Sequence, residues 1–358
     1  MQNWDECILL EGRTNIYHHF ENKETLLIIG LGFDPRSSRF LDLLKEIKQQ
    51  LTVYIVIYDD VGVDEDRYKN NYDTICSICD NNNIPYQSIN IPMYKFDGMK
   101  RTLIISESVK THITKNLIKC FGNIVLDISA MPKGVSFSLI KRLVMIKTIS
   151  QKLCIAVCEN SEYDDSIIPI IGEESAEYLP GFNTFSLTME QDEPETVLFP
   201  ALGMEYSDTL RIIANYTKPI EICPVVPFPS MDIQRGEKML RSCGEVLFRE
   251  RGVETRDIIY VPESDPRLVC HKLSNTVEYY KKAFSIDNDR AIQYVFASSS
   301  SKLIDIGILL AVLELDEKEI KTGIVIVGKQ SYRTIKDYNI KNDRLFCLCL
   351  DENIYEWG

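Results

Sequence analysis

The chain has 358 residues, 45% of them hydrophobic and 26% charged, an ordinary globular balance with enough apolar material for two domains. Its net charge of -13 argues against a broad duplex nucleic-acid surface, because an acidic protein repels the phosphate backbone, but leaves room for a small pocket taking a phosphorylated ligand. No apolar run is long enough to cross a bilayer and residues 1–11 lack a secretory pattern, so the expected location is cytoplasmic, without a membrane partner.

In chain order, residues 1–23 form an entry segment carrying His18 and His19. Residues 24–33 (ETLLIIGLGF) are a buried strand that runs into a glycine turn, followed by Asp34-Pro35-Arg36-Ser37-Ser38. Phe40, Leu41, Leu43, Leu44 and Ile47 recur at helical spacing, which predicts a helix over 37–50. Residues 52–58 are a second apolar strand ending on Asp59 and Asp60. A polar helix over 65–81 breaks at Asn81-Asn82-Asn83, and 84–91 is another strand. A helix is expected over 101–119. Next come a strand at 124–128, a tight polar turn at 129–133 and a helix opening near Gly134; 152–158 closes this half as a strand. Strands that are apolar throughout and alternate with helices predict a mainly parallel sheet covered on both faces.

Periodicity weakens over 159–195, which ends on the acidic run Glu190-Gln191-Asp192-Glu193-Pro194-Glu195. The domain boundary is placed there, giving lobes of 1–190 and 191–358. The second half then restarts the first. Residues 195–204 lie over 24–33 at an offset of 171, with five of ten positions identical. Lys302 lies over Lys133 and residues 321–327 over 152–158, both at an offset of 169. The turn at Lys302 belongs to a second strand-turn-helix spanning 293–315, and the lobe adds a helix over 235–251 and a strand over 257–261. Three anchors in one order predict an internal duplication: an α/β protein of two tandem Rossmann-like lobes.

The eleven cysteines are scattered, and Cys154, Cys158, Cys347 and Cys349 sit in apolar runs, where free Cys packs as a small hydrophobe; a reduced setting is expected. Cys76-x-x-Cys79 offers half a zinc set with no second pair, so no metal site is expected. His18, His19, His112 and His271 accompany no nucleophile motif, which removes the hydrolase triads. Lys281, Lys282 and Arg290 read as a solvated helix end.

Two kinds of turn carry candidate chemistry. In the first, Ser129 follows a strand and is placed to cap the next helix, with Lys133 in its first turn. A cation there opposes the helix dipole and so suits an anionic ligand; the alternative is a lysine snorkelling to solvent. Its second copy, Ser298-Ser299-Ser300-Ser301-Lys302, is rich in hydroxyls and low in bulk. The other turn, Gly30-x-Gly32 with Asp34, Arg36 and Ser37, starts like a dinucleotide fingerprint but lacks the third glycine. Arg36 either offers a planar fork to a phosphate or carboxylate, or pairs with Asp34 or a nearby acid. Asp59 or Asp60 would suit a ribose hydroxyl, and Asp127 either handles a proton, orients Lys133 or caps the helix.

The turns at 127–134 and 297–303 resemble the ligand-binding turn of CRISPR-associated Rossmann-fold (CARF) sensor domains, where a small-residue turn ending in lysine follows a late strand. Those domains place a second ligand loop after the first strand, where this chain has residues 32–38. Two such lobes in one chain are similar to the SAVED domain. The resemblance implies recognition of a cyclic oligonucleotide messenger between the lobes, in bacterial antiviral defence. No nuclease or other effector domain is recognisable, so it also implies an effector or complex partner in another chain. Ala130-Met131-Pro132 departs from the family pattern by its bulk, and Pro132 lacks an N–H donor.

Three functions follow as expectations. The first is a binding module that takes a phosphorylated nucleotide through Gly32, Asp34, Arg36, Ser37, Asp127, Ser129, Lys133, Ser298, Ser299, Ser300, Ser301 and Lys302, with no resident cofactor. The second is an enzyme on a nucleotide or phosphoribosyl substrate, with Arg36 and Lys133 on phosphate and Asp127 or Asp34 moving a proton. The third is a structural subunit with degenerate pockets. The motifs name no catalytic set.

Overall fold

The computed structural model describes residues 4–21, 24–58, 65–98, 100–184, 194–284, 291–334 and 337–350. Among these, one compact unit (the first lobe) holds residues 4–164 and 337–350, and the other (the second lobe) holds 165–334. No helix of the described residues is long and apolar enough to cross a membrane.

The first lobe runs β1 (Ile8–Glu11), α1 (Arg13–Phe20), β2 (Thr25–Gly30), a 3-10 turn (Pro35–Ser38), α2 (Arg39–Leu44), β3 (Leu51–Ile57), α3 (Glu65–Asn82) and β4 (Tyr86–Asn90). A small hairpin of β5 (Tyr94–Asp97) and β6 (Lys100–Leu103) follows, then α4 (Ile105–His112), α5 (Lys115–Ile118), β7 (Asn123–Asp127), α6 (Lys133–Ile146), β8 (Lys152–Glu159) and α7 (Ser161–Asp164). The second lobe runs β9 (Ile167–Asn183), β10 (Glu195–Ala201), α8 (Ser207–Thr217), β11 (Glu221–Ile222), β12 (Val225–Pro227) and α9 (Arg235–Gly244). It continues with β13 (Ile259–Val261), α10 (Pro266–Phe284), β14 (Ile292–Ser298), α11 (Lys302–Glu317) and β15 (Thr322–Thr334); β16 (Arg344–Leu350) is the last described strand. The helix expected over 101–119 starts late: Gly98, at φ 59, turns the β5–β6 hairpin, and only from Ile105 does the chain coil.

Both sheets repeat one plan. The first lobe reads β4-β3-β2-β7-β8-β16-β1, and the second β13-β12-β10-β14-β15-β9 with β11 beside β10. The first five strands of each row are parallel to their neighbours. The sixth is antiparallel in both. Numbered in chain order from β2 and from β10, with β11 set aside, the five parallel strands of each lobe stand 3-2-1-4-5, the doubly wound arrangement, in which strand order reverses between β2 and β7 and between β10 and β14. The central strands are apolar because both faces are covered: β2 and β7 are buried residue for residue. α6 and α11 are buried around most of their circumference and hence apolar on nearly every side.

The division differs from a boundary at 190/191. The chain leaves the first lobe after Asp164, and β9, which follows β8 in sequence, pairs with β15 of the second lobe. The strand that follows β15, β16, returns to pair with β8. Each lobe's sixth strand is therefore contributed by the segment after the other lobe's fifth strand. β9 hid from the period-2 pattern because its pairing with β15 shifts register three times. The cysteine reading also needs correction: Cys154 and Cys349 are register partners across β8 and β16 and form a disulfide.

A segment of residues 165–335 carries a complete second lobe, whereas 191–358 lacks β9 and leaves the β15 edge unpaired. Expressed alone, 165–335 is expected to unfold in one cooperative thermal transition, and 191–358 to aggregate. Equal behaviour of the two in circular dichroism and light scattering would show that β9 is dispensable.

Candidate functional site

In each lobe the two turns picked out by sequence meet at the carboxyl ends of the central strands, where the strand order reverses. Ligands of open α/β sheets bind in this crevice. A glycine makes the meeting possible. A Cβ on Gly32 would stand 2.8 Å from the Ala130 carbonyl oxygen, and one on Gly203 would stand 2.1 Å from the Ser299 carbonyl oxygen. The Tyr58 hydroxyl donates to the Ala130 carbonyl (2.9 Å), and Asn71 donates to the carbonyls of Gly32 (2.8 Å) and Asp34 (3.0 Å). Asp59 and Asp60 lie outside the described residues.

Below the first lobe's turns is a buried charge cluster. Asp34 accepts from the Arg36 backbone N–H (2.9 Å) and caps the 3-10 turn that Pro35 opens. The Arg36 guanidinium is sealed: it donates to Asp34 (2.6 Å from Nη2), reaches Asp164 (2.7 Å from Nη1) and the Cys158 carbonyl (3.3 Å), and lies over the Tyr163 ring. Of the two readings of Arg36, the pairing with Asp34 is the one realised in this geometry. Burial works against its charge, but Asp164 and Asp34 outweigh it and hold its pKa above the ordinary value. The Ser37 hydroxyl is buried without a hydrogen-bond partner among the described residues.

Ser129 does not cap α6; Pro132 occupies that position. Instead the Ser129 hydroxyl donates to Asp127 Oδ1 (2.5 Å) and accepts from the Cys158 N–H (2.8 Å), so it ties the end of β7 to β8. Asp127 Oδ2 has no hydrogen-bond partner among the described residues. Burial pushes the Asp127 carboxyl up to about 7, against the pull of the Ser129 hydrogen bonds and of Arg36. Lys133 is the first residue of α6 and half-buried.

The second lobe keeps the plan with different chemistry. Ser298, equivalent to Ser129 at an offset of 169, donates its hydroxyl to Asp305 Oδ1 (2.5 Å) and accepts from the Ser300 N–H (3.2 Å). The Ser299 N–H donates to the Ala201 carbonyl (3.0 Å), and Ser301 caps α11 by accepting from the Ile304 N–H (3.5 Å). Ser300 Oγ and the Tyr206 hydroxyl are buried without a hydrogen-bond partner among the described residues. Lys302 opens α11 and is half-buried, as Lys133 is in α6. This lobe has its own buried arginine, Arg235, held by Asp165 (2.8 Å) and Glu263 (3.0 Å).

Sequence reasoning missed Asp305, Asp164, Tyr163 and Arg235. Asp305 had a signal, being a carboxylate in the apolar helix run KLIDIGILL, where an ionisable group needs a partner. Asp164, Tyr163 and Arg235 come from segments with no motif.

No protein-family model and no curated protein matches the chain. Among solved structures, the cytoplasmic domain of a prokaryotic cation chloride cotransporter aligns at 11% identity over 86% of this chain and 96% of that one, with a TM-score of 0.24. UDP-GlcNAc 2-epimerase from Neisseria meningitidis, bound to UDP-GlcNAc, aligns at 8% identity over 77% of each chain, with a TM-score of 0.22. At such scores neither bears on what this chain does.

Two measurements test the site's construction. Gly203→Ala is expected to cost ~1–3 kcal/mol in denaturant unfolding by overpacking, while Gly122→Ala, with no atom within 4 Å of the added carbon, costs nothing. The second concerns Asp127, whose ordinary value is 3.8 and whose folded value is about 7. Between these the folded state holds more protons than the unfolded one, so stability falls as pH rises through that window. Asp127→Asn removes this slope: the variant gains on wild type from 3.8 up to about 7, and the difference is level above. Parallel urea-unfolding profiles for the two proteins would show that Asp127 has no such shift.

Proposed function

We propose that the chain is a two-lobed, CARF/SAVED-like binding protein that recognises a phosphorylated nucleotide, with a cyclic oligonucleotide as the first candidate. In this reading it resides in the cytoplasm and acts through an effector or complex partner, in bacterial antiviral defence. The observation that carries it is the repeated placement of Lys133 and Lys302. Each opens a buried helix at the point where its sheet's strand order reverses, beside a glycine that lets a second loop close in. A lysine at a helix start opposes the dipole by roughly 0.3–1 kcal/mol, and an anion reverses that sign. The contact set is then narrower than the motif list: each lobe offers its own turn, with Lys133 in the first and Lys302 and the serine-rich turn in the second facing ligand, while Arg36, Asp34 and Asp127 form the floor that holds the first lobe's turn.

An enzyme acting on a nucleotide or phosphoribosyl substrate is the second reading. Asp127 favours it, because a buried carboxyl titrating near 7 suits proton transfer. A structural subunit with degenerate pockets is the third.

The test is thermal shift against cyclic and linear oligonucleotides, nucleoside triphosphates and dinucleotides. Stabilisation by one of them is expected, abolished by Lys133→Ala or Lys302→Ala with circular dichroism unchanged. Turnover of the bound nucleotide would move the assignment to the enzyme. Stabilisation by none would leave the structural subunit.

A further inference from the structure

Toward the amino end of β8, away from the switch-point turns, three metal-ligating side chains come together. Cys154 and Cys349 face each other across β8 and β16, on the sheet face covered by Ile16 and Phe20 of α1. Ile16, His19 and Phe20 stand at i, i+3 and i+4, one face of that helix, so the packing that buries Ile16 and Phe20 brings His19 over the cysteine pair. His19 Nε2 is 3.7 Å from Cys349 Sγ, and the three ligand atoms all lie within 4.8 Å of one another. Among the described residues no other group of three His, Cys, Asp or Glu side chains is gathered so closely for a metal.

We propose that Cys154, Cys349 and His19 form a Cys2His site for a zinc-class divalent ion in the reduced protein, and that the Cys154–Cys349 disulfide is the alternative state of the same atoms. Two thiolates and an imidazole are the donor set that selects zinc over hard cations. Ligand distances of about 2.0–2.3 Å place donors ~3.5–4 Å apart around one ion; the His19–Cys349 distance of 3.7 Å already suits this, and reduction frees the two bonded sulfurs to move apart to the same spacing. Three protein ligands leave a fourth position for water or another small ligand, and the half-buried His19 marks the route in. Cys158 and Cys347 share the sheet face but join no group of three such ligands among the described residues, and they pack as hydrophobes. The chemistry balances simply. A phosphine or thiol reductant supplies two electrons, two protons complete the thiols, and binding of M2+ releases those two protons as both sulfurs ligate. The assignment departs from the sequence expectation of no metal site, which found no second pair or His cluster beside Cys76 and Cys79 and read Cys347 and Cys349 as strand spacing.

The experiment is titration of the full chain with cobalt(II), before and after reduction by a phosphine. The reduced protein is expected to bind one equivalent, with a thiolate-to-cobalt charge-transfer band and strong visible bands of tetrahedral geometry, both erased by zinc; the oxidised protein shows neither. Cys154→Ser and Cys349→Ser abolish the bands. His19→Ala weakens binding by more than about 10-fold, the cost of disturbing even the shell around metal ligands, without altering circular dichroism. Cys76→Ser changes nothing. Should the buried-cysteine variants not fold, wild type decides: zinc must slow alkylation of Cys154 and Cys349 while exposed Cys120 reacts as before. A reduced, folded protein that gives no thiolate–cobalt band, bands that survive His19→Ala at full affinity, or alkylation of Cys154 and Cys349 indifferent to zinc would each overturn the site.

Discussion

The molecule turns on one close approach made twice. Where each sheet reverses its strand order, two loops press backbone against backbone, Gly32 on Ala130 and Gly203 on Ser299, at distances no side chain tolerates. Once those loops are in contact, the remaining arrangement follows. The polar groups of the turns must be satisfied from beneath, because the strands that deliver them are apolar and buried. Hydroxyls and carboxylates therefore gather at the turns, and a lysine opens the helix that follows.

How the buried polar groups are satisfied shows what duplication keeps and what it lets change. Ser129 and Ser298 occupy the same place and each donates to a carboxylate, but the carboxylates differ. The first lobe supplies Asp127 from the strand; the second supplies Asp305 from the helix. At the offset of 169, Phe296 stands where Asp127 would be and Ser136 where Asp305 would be. The hydrogen bond has been kept while its acceptor moved between elements. This is expected when a buried hydroxyl must be paired and the direction of the partner is free.

Much of this was legible in the chain. The apolar strands alternating with helices and the repeats at Lys133 and Lys302 were enough for two lobes with parallel sheets, because parallel pairing leaves a continuous hydrophobic run that survives any register. The turns were found because they break that run with glycine and serine. What stayed hidden depended on long-range pairing. Arg36 reads as a phosphate fork until Asp164, 128 residues away in sequence, is seen to close it off. Ser129 reads as a cap until the Cys158 N–H claims its oxygen. β9 has no clean alternation because its pairing with β15 slips, and β16 is an unremarkable cysteine-bearing strand whose partner lies in the other half of the chain. Consecutive acids mark the crossing itself: Asp164 holds the buried arginine of one lobe and Asp165 that of the other.

That crossing bears on the order in which the protein can be made. A chain emerging from the ribosome completes the strands of its second lobe before it owns the last strand of its first. Until residues 344–350 arrive, β8 presents an open row of donors and acceptors beside an apolar face, an invitation to pair with whatever strand is near. The contact that finally covers it spans a sequence separation of 195 residues at Cys154 and Cys349, a loop whose closure makes assembly slow. The lobe that begins first is thus the one that finishes last, and newborn copies of this protein are exposed to mispairing with each other for as long as that edge stays bare.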